Sequence, residues 1–279
     1  MRDTTRLAIS NIAWQPDEDD AVAEVLRREG ITGVELAPTK WRERPLDAST
    51  DDVVAYRRTW EDRGLHVVSL QSLLFGRPDL QLFSDDAARV ALADYLRRVI
   101  DFGALLGACA LVFGSPKNRL RGSMTLKDAT DIAAPFFHTL GTHASARGVA
   151  FCIEANPPEY GCDFVTTTAE AAELCAVVDH PGIRINADLG GMTLAGEDPL
   201  AAIQSTKAFV AHVHASEPHL AELGLVADHA LAASALDAIE YDGWVSIEMR
   251  AGADGDNVGA VERAVRRAKR EYVLSSELF

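Results

Sequence analysis

The chain has 279 residues, and its 42 Asp and Glu against 27 Lys and Arg give a formal net charge of −15 and a pI near 4.9. This acidity argues against nucleic-acid and anionic-membrane binding, because affinity for phosphates comes mainly from clustered Lys and Arg. Apolar residues make up 48% of the chain and charged residues 25%, as in an ordinary soluble globular protein.

The cysteines and the apolar stretches bear on the cellular compartment of the protein. The four cysteines are Cys109, Cys152, Cys162 and Cys175. They form no CxxC pair, so we expect neither a zinc ribbon nor a disulfide framework, and a reducing, cytoplasmic setting fits best. Charges interrupt every apolar run of the first twenty residues, so no export signal is expected. The longest nearly uncharged stretch, Phe102–Pro116, is too short for a membrane span.

Short apolar runs recur along the chain at intervals of roughly 25 to 45 residues, the length of one strand, one helix and two loops. In chain order, the predicted strands are Leu7–Ile12, Gly33–Ala37, His66–Gln71, Ala110–Gly114, Val149–Glu154, Ile183–Asp188, Phe209–His214 and Trp244–Glu248. Amphipathic stretches that predict helices lie between them, among them residues 17–30, 51–64, 85–107, 126–148 and 259–273. Several begin with acidic residues and close with basic residues and Gly, as helix dipoles and C-caps prefer.

Eight strand–helix units without a proline-rich or low-complexity linker predict the α/β class, as a single (β/α)8 TIM barrel over residues 1–279. An open doubly wound sheet is the alternative, but such a sheet usually carries a Gly-rich phosphate loop after its first strand. The first predicted strand continues here into SNIAWQP, which contains no glycine.

Four consecutive predicted strands bring side chains that can bind a metal ion. They read FCIEAN with Glu154, RINAD with Asp188, AHVHASE with His214 and VSIEMR with Glu248. The active site of such a barrel is built at the C-terminal ends of its strands, so we expect these side chains to meet. Three carboxylates and one imidazole would repel one another unless a cation lay among them. The sequence therefore predicts a divalent metal ion.

The ligand types help to choose the ion. Mostly oxygen donors with one nitrogen suit Mn²⁺, Mg²⁺ or Co²⁺ in an open octahedral site, and we expect Mn²⁺ first, with Zn²⁺ as a further alternative. Each side chain also has a simpler interpretation, because a lone strand-end Glu or Asp often caps a helix or forms an ion pair, and a strand His is often hydrogen-bonded in the core. The occurrence of all four at successive strands favours the metal site.

These motifs resemble one family, the xylose isomerase-like TIM barrels, a sugar phosphate isomerase/epimerase group that includes D-tagatose 3-epimerase, hydroxypyruvate isomerase and inosose dehydratase. The resemblance covers nearly the whole chain in strand order, and its most specific segments are IEANPPEYGCDFVTTTAEA, NADLGGM, HVHASEP and YDGWVSIEMR. The resemblance implies that Glu154, Asp188, His214 and Glu248 hold a Mn²⁺-type ion. It further implies that Glu154 and Glu248 flank the substrate carbon and move its proton.

Elementary chemistry agrees with these roles. A cation that holds a carbonyl oxygen and its neighbouring hydroxyl stabilises the enediolate formed when the adjacent proton leaves. One carboxylate takes that proton, and a second returns it on the opposite face or to the neighbouring carbon. We therefore expect a divalent-metal-dependent isomerase or epimerase of a sugar, sugar phosphate or sugar acid, with a homo-oligomer left open.

Further polar and aromatic residues near the strand ends are candidates for substrate binding. His212 shares strand parity with His214 and should point inward, toward substrate or into the hydrogen-bonded barrel interior. Glu35, in GVELAP, could hydrogen-bond a sugar hydroxyl or orient another side chain. Trp14 and Phe75 could form apolar walls for a sugar ring or belong to ordinary packing.

The resemblance adds three candidates. Glu217 is similar to a family glutamate that orients the substrate or supports another side chain. Asn156 and Glu159 lie on the loop after the fifth strand, where the family contacts substrate hydroxyls, although Glu159 could equally be a solvated carboxylate.

A basic loop follows the fourth predicted strand. In FGSPKNRLRG, the residues Lys117, Arg119 and Arg121 lie close together in an otherwise acidic chain. Such a cluster predicts contact with an anionic substrate group, either phosphate or carboxylate, and a solvated loop is the simpler alternative.

The chain departs from the ketose 3-epimerases at two places. Those enzymes carry a substrate-contacting His three residues after the strand-six Asp, whereas Asp188 is followed by Leu-Gly-Gly. Gly190 and Gly191 would leave extra room, which favours a bulkier or modified substrate. The 3-epimerases also carry an Arg beyond the strand-seven His, where this chain has Pro-His-Leu and His219 is the candidate substitute.

These departures keep other functions open. The same centre could serve a lyase or dehydratase that acts on a keto-sugar or cyclitol, including C-glycoside cleavage, or the chain could be a non-catalytic sugar-binding barrel. The abasic-site endonuclease branch of the family uses three zinc ions and additional histidines, whereas strand ends two to four here offer Glu35, Gln71 and Gly114. Together with the net charge, this argues against a nuclease.

Overall fold

The computed structural model describes residues 6–252 and 255–273. The strands are β1 (Arg6–Ser10), β2 (Gly33–Leu36), β3 (His66–Leu70), β4 (Ala110–Phe113), β5 (Ala150–Glu154), β6 (Ile183–Asp188), β7 (Val210–Ser216) and β8 (Trp244–Glu248). The α-helices are α1 (Asp19–Arg28), α2 (Thr50–Asp62), α3 (Asp86–Leu106), α4 (Leu126–Ala146), α5 (Thr168–Val178), α6 (Leu189–Ala195), α7 (Pro199–Ser205), α8 (His229–Ala238) and α9 (Asn257–Tyr272).

Residues 1–5, 253–254 and 274–279 lie outside the described residues. The expectations about an export signal and about one domain over residues 1–279 extend to them and stay predictions. Within the described residues, no helix is long and apolar enough to cross a bilayer.

The strands pair in parallel and in chain order, and β8 pairs with β1 to close the barrel. The predicted (β/α)8 barrel and all eight strand positions are thereby confirmed. The largest difference at the site is in β7, which continues two residues past His214 because Ser216 still pairs with Glu248 of β8. His214 therefore lies inside a strand rather than at its end.

Local signals explain where the long helices begin and end. Ser49, Asp85 and Thr125 precede α2, α3 and α4, and each side chain accepts a hydrogen bond from a backbone N–H of the first turn. Helix α3 ends at Gly107, whose φ of 87° is a left-handed conformation that glycine adopts without a steric penalty. The helices predicted over residues 51–64, 85–107 and 126–148 are confirmed.

The main core lies between the barrel wall and the surrounding helices. Trp60, Ile100, Phe137 and Val261 are almost fully buried there. The helical ring closes where α9 packs on α1, with Lys269 Nζ donating to the carbonyl oxygen of Glu29 at 2.8 Å. This closed frame points the C-terminal ends of all eight strands toward one mouth, where a site can be built.

Candidate metal centre and active site

Four predicted ligands converge at the C-terminal end of the barrel. Asp188 lies beside His214 in the ladder between β6 and β7, and Glu248 lies beside Ser216 between β7 and β8. His214 Nδ1 lies 3.4 Å from Glu154 Oε2, 3.9 Å from Asp188 Oδ2 and 3.2 Å from Glu248 Oε2. The imidazole thus faces all three carboxylates.

The close approach of these groups shifts their ionisation. Burial, and then repulsion by Glu154 and Glu248, raises the pKa of Asp188 to about 7. Burial also raises the pKa of Glu248 and outweighs the attraction of His214, with a smaller contribution from repulsion by Glu154 and Glu35. Burial would lower the pKa of His214, yet Glu35, Glu248 and Glu154 hold it well above the usual value. These carboxylates therefore gain from a positive charge among them.

The geometry of His214 fits a cation at this point. The ligating atoms of Glu154, Asp188 and His214 lie within 4.8 Å of one another. His214 Nε2 lies 3.1 Å from Glu35 Oε2, whereas buried His214 Nδ1 has no hydrogen-bond partner among residues 6–252 and 255–273. A ligating histidine commonly donates its other N–H to a carboxylate in this way. An oxygen-rich donor set with one nitrogen suits Mn²⁺, Mg²⁺ or Co²⁺.

Neighbouring side chains hold the carboxylates in place. Asn156 Nδ2 donates to Glu154 Oε1 at 2.8 Å, and Asn186 Nδ2 donates to Glu154 Oε2 at 2.8 Å. The Ser216 hydroxyl donates to Asp188 Oδ2. Asn186 and Ser216 were missed by the sequence reasoning. Strand parity could have found them, because they lie two residues before Asp188 and two after His214 and so face the same interior.

A cavity of about 400 Å³ lies above this cluster. Its lining includes Gln71, Ser72, Glu154, Asn156, Tyr160, Asp188, His219, Glu248 and Arg250. The structure thus brings the predicted Asn156 and His219 to the cavity. Tyr160 and Arg250 were missed: Tyr160 Oη accepts from the His219 backbone N–H at 2.8 Å, and Arg250 Nη2 donates to the His219 carbonyl at 2.6 Å.

Glu35 and His212 lie below the cavity rather than in it. Both side chains are completely buried, and His212 Nε2 lies 3.0 Å from Glu35 Oε2. Glu35 is thus absent from the cavity lining, and its carboxylate contacts two histidine side chains; its contact with a sugar hydroxyl stays a prediction that this burial disfavours. His212 likewise belongs to the hydrogen-bonded interior, which was its alternative interpretation.

Glu217 and Trp14 are also directed away from substrate. The Glu217 carboxylate accepts backbone N–H groups of residues 224–227 and lies 3.0 Å from His229 Nε2, so both oxygens are used to hold a loop. Trp14 is fully buried, and its Nε1 donates to Asp19 Oδ1 at 2.7 Å. The predicted substrate contacts of both residues are therefore corrected to structural roles.

The basic loop does not form an open anion site. Arg119 is buried, and its guanidinium contacts the carbonyl oxygens of Phe113, Glu154 and Val165. Arg121 donates to the carbonyl oxygens of Asp163 and Met124. Lys117 is exposed and is absent from the cavity lining. Both arginines are thus occupied by backbone carbonyls, which corrects their predicted contact with an anionic substrate group.

Three more expectations differ from the arrangement seen. Glu159 is exposed outside the cavity lining, and Phe75, 70% exposed, lines a separate groove beside Arg77. Gly190 and Gly191 do not create extra room, because added Cβ atoms would lie 2.7 Å from the Glu217 carbonyl oxygen and 2.8 Å from Asp188 Oδ1. These glycines instead allow α6 to pack closely behind the site.

Comparisons with known proteins agree with the barrel and its strand order. Residues 23–271 match the family described as xylose isomerase-like TIM barrel. No curated protein sequence matches the chain. One similar solved structure is D-psicose 3-epimerase from Clostridium cellulolyticum H10 with D-tagatose, at 15% identity, TM-score 0.78, and coverage of 97% of this chain and 100% of that one.

Two further solved structures share the fold. The 3-keto-D-glucoside 4-epimerase from E. coli is 17% identical with a TM-score of 0.76, and the alignment covers 95% of this chain and 99% of that one. An L-ribulose 3-epimerase is 19% identical with a TM-score of 0.74, covering 95% and 96%. With the family match over most of its length and the closed eight-stranded barrel, the chain belongs to the xylose isomerase-like TIM barrel family.

Proposed function

We propose that this chain is a divalent-metal-dependent isomerase or epimerase of a sugar or sugar derivative. One observation carries the proposal: His214 Nδ1, without a hydrogen-bond partner in the described part of the chain, faces Glu154, Asp188 and Glu248 at 3.2 to 3.9 Å at the floor of a cavity. The family membership and the sugar epimerases among the similar structures support it.

The residues that would hold the ion are Glu154, Asp188, His214 and Glu248, with Mn²⁺ as our first choice. A divalent cation bound there would supply Lewis acidity, which stabilises negative charge on the substrate oxygen beside the carbon that loses its proton.

The chain's own residues would move the proton. Burial would raise the pKa of the Glu154 carboxyl, yet it is held below its usual value by the nearby His214 and by the Asn156 and Asn186 amides, which donate to its two oxygens. Glu154 would take the carbon-bound proton onto a carboxylate oxygen. Glu248, on a strand three positions away around the eight-strand ring, would deliver a proton to the opposite face.

The cavity would orient the substrate. Its volume of about 400 Å³ suits a small sugar rather than a polymer. Tyr160, His219 and Arg250 place hydroxyl, imidazole and guanidinium groups around it, which can hydrogen-bond sugar hydroxyls.

Solvent exchange tests this function directly. The purified protein loaded with Mn²⁺ is incubated in D2O with D-tagatose, D-fructose and L-ribulose, and NMR follows deuterium at the carbon beside the carbonyl. We expect exchange together with an epimer or isomer for at least one ketose. Glu248→Gln should slow formation of the epimer by about 10²- to 10⁴-fold, because the variant cannot deliver the proton to the opposite face.

A matched control is Glu159→Gln, which changes an exposed glutamate outside the cavity lining and should keep full exchange. Undiminished epimer formation by Glu248→Gln would contradict the proton delivery assigned to Glu248. A metal-loaded protein that exchanges none of the three ketoses contradicts the isomerase, and formation of an enone without an epimer identifies a lyase instead.

A further inference from the structure

A buried cluster lies directly beneath the candidate metal centre. Glu35 Oε2 accepts the Ser69 hydroxyl at 2.6 Å and lies 3.0 Å from His212 Nε2 and 3.1 Å from His214 Nε2. All four residues are completely buried. One carboxylate oxygen on β2 thus has three hydrogen-bond partners across the interior of the barrel, one on β3 and two on β7.

The positions of the histidine hydrogens in this cluster follow from the atom that accepts them. The Oε2 atom of Glu35 is an acceptor here, because the Ser69 hydroxyl donates to it. The two Nε2 atoms, at 3.0 and 3.1 Å from the same oxygen, are placed to donate as well, so both carry a hydrogen. When a neutral imidazole carries its hydrogen on Nε2, the lone pair is on Nδ1. For His214 this is the atom that faces Glu154, Asp188 and Glu248.

We propose that Glu35 is a positioning residue that holds His214 in the Nε2–H form, so that its Nδ1 lone pair is directed at the cation. This inference rests on the proposed function, because it assigns a role beneath the same metal centre. His212 is the second donor to the same oxygen, and its ring packs edge-on against His214 with centroids 5.3 Å apart. It keeps the Glu35 carboxylate from turning away from His214.

The alternative use of this cluster is a second metal site, because Glu35, His212 and His214 also offer ligating atoms within 4.8 Å of one another. The chemistry of His214 argues against it. A cation at Nε2 would require the lone pair there and would leave a neutral His214 with its hydrogen on Nδ1, thereby removing the nitrogen ligand from the upper site. The distances of 3.0 and 3.1 Å instead suit N–H···O hydrogen bonds.

The first experiment measures ion binding without any substrate. Titration calorimetry with Co²⁺ should show a 10- to 100-fold weaker affinity for Glu35→Gln than for the unchanged protein, as when other partners of metal-ligating histidines are removed. The visible absorption of bound Co²⁺ should also change, because the imidazole is no longer held in one orientation.

A second buried Glu–His pair, Glu217 Oε1 and His229 Nε2 at 3.0 Å, provides a matched control. Glu217→Gln should lower stability but leave the Co²⁺ affinity and spectrum unchanged, because neither partner lines the cavity. Unchanged Co²⁺ affinity in Glu35→Gln, or an equal loss in both variants, would overturn the proposal.

The second experiment needs no variant and so does not depend on whether Glu35→Gln folds. In the protein labelled with ¹⁵N-histidine, NMR should show hydrogen on His214 Nε2 both without a cation and with Zn²⁺. Hydrogen on Nδ1 in the Zn²⁺-loaded protein would overturn the proposal. Neither experiment contains a sugar, so failure of the positioning role can be distinguished from failure of the isomerase. If the unchanged protein exchanges a ketose but Glu35→Gln binds Co²⁺ with unchanged affinity, only the positioning role is rejected.

Discussion

Arg119 connects the loop after β4 to the strand that carries Glu154. Its Nη2 donates to the Glu154 carbonyl oxygen at 2.7 Å and contacts Asn156 Oδ1 at 3.2 Å. The planar guanidinium can contact several carbonyls at once because its five N–H groups form a rigid fork. The basic loop therefore supports the position of Glu154 rather than binding a ligand through Arg119.

This role predicts the effect of Arg119→Lys, which keeps the charge but loses the fork. We expect the free energy of unfolding to fall by about 2 kcal/mol, since buried carbonyls lose charged donors. Urea denaturation checks this, with Lys117→Ala as the control in the same loop. The exposed control should lie within about 0.5 kcal/mol of the unchanged protein. Full stability of Arg119→Lys would show that the fork is not needed.

Helix α6 follows strand β6 without a loop between the two elements. Asp188 ends β6 and also accepts the Gly191 backbone N–H, so one carboxylate both faces the site and caps the helix. Gly190 N donates to Ser216 Oγ at 2.8 Å, and Ser216 in turn donates to Asp188. Strand β7 and helix α6 together therefore set the position of Asp188.

Gly190→Ala tests this close packing. Because the added Cβ would lie 2.7 Å from the Glu217 carbonyl oxygen, α6 or the chain after β7 must shift. We expect a loss of roughly 1–3 kcal/mol in unfolding free energy, the usual cost of overpacking, and weaker Mn²⁺ binding in calorimetry. Ala201→Ser, at an exposed position in α7, should change neither quantity. A stable variant with unchanged Mn²⁺ affinity would mean that the space behind Asp188 is not restricted.

Across the whole molecule, the net charge of −15 includes a local concentration of carboxylates at the barrel mouth. Burial and mutual repulsion raise the pKa values of Asp188 and Glu248, so bringing these carboxylates together in ionised form costs free energy. A bound cation would offset this cost in the folded state, which ties ion binding to global stability.

Thermal unfolding measures this coupling. An ion at about 100 times its dissociation constant adds roughly 2.7 kcal/mol to the folded state, if the unfolded chain does not bind it. For a chain of this size we expect Mn²⁺ to raise the melting temperature by several degrees, on the order of 2–4 °C per kcal/mol. EDTA should reverse the shift. The double variant Asp188→Asn with His214→Gln should show no Mn²⁺ effect, and an equal shift in that variant would place the ion elsewhere.

Much of this arrangement could be predicted from the sequence because it depends on short-range patterns. Apolar runs and amphipathic stretches indicate strands and helices, and parallel strands in a closed barrel direct their ends to one mouth. Glu154, Asp188 and Glu248 could therefore be expected to meet before any contact was known. His214 followed from the same strand parity, although β7 continues past it.

The partners that each polar group finds depend on the folded chain and could not be predicted. Glu35 and His214 are 179 residues apart in the sequence, and no local pattern shows that they share a hydrogen bond. The same holds for Arg119 and Glu217, whose charges looked available for a substrate but are satisfied by backbone groups of other segments. Local patterns were thus enough for the barrel and for the strands that carry the ligands. Which charged side chains remain free for chemistry was settled by burial, because a charge removed from water must find its partner within the fold.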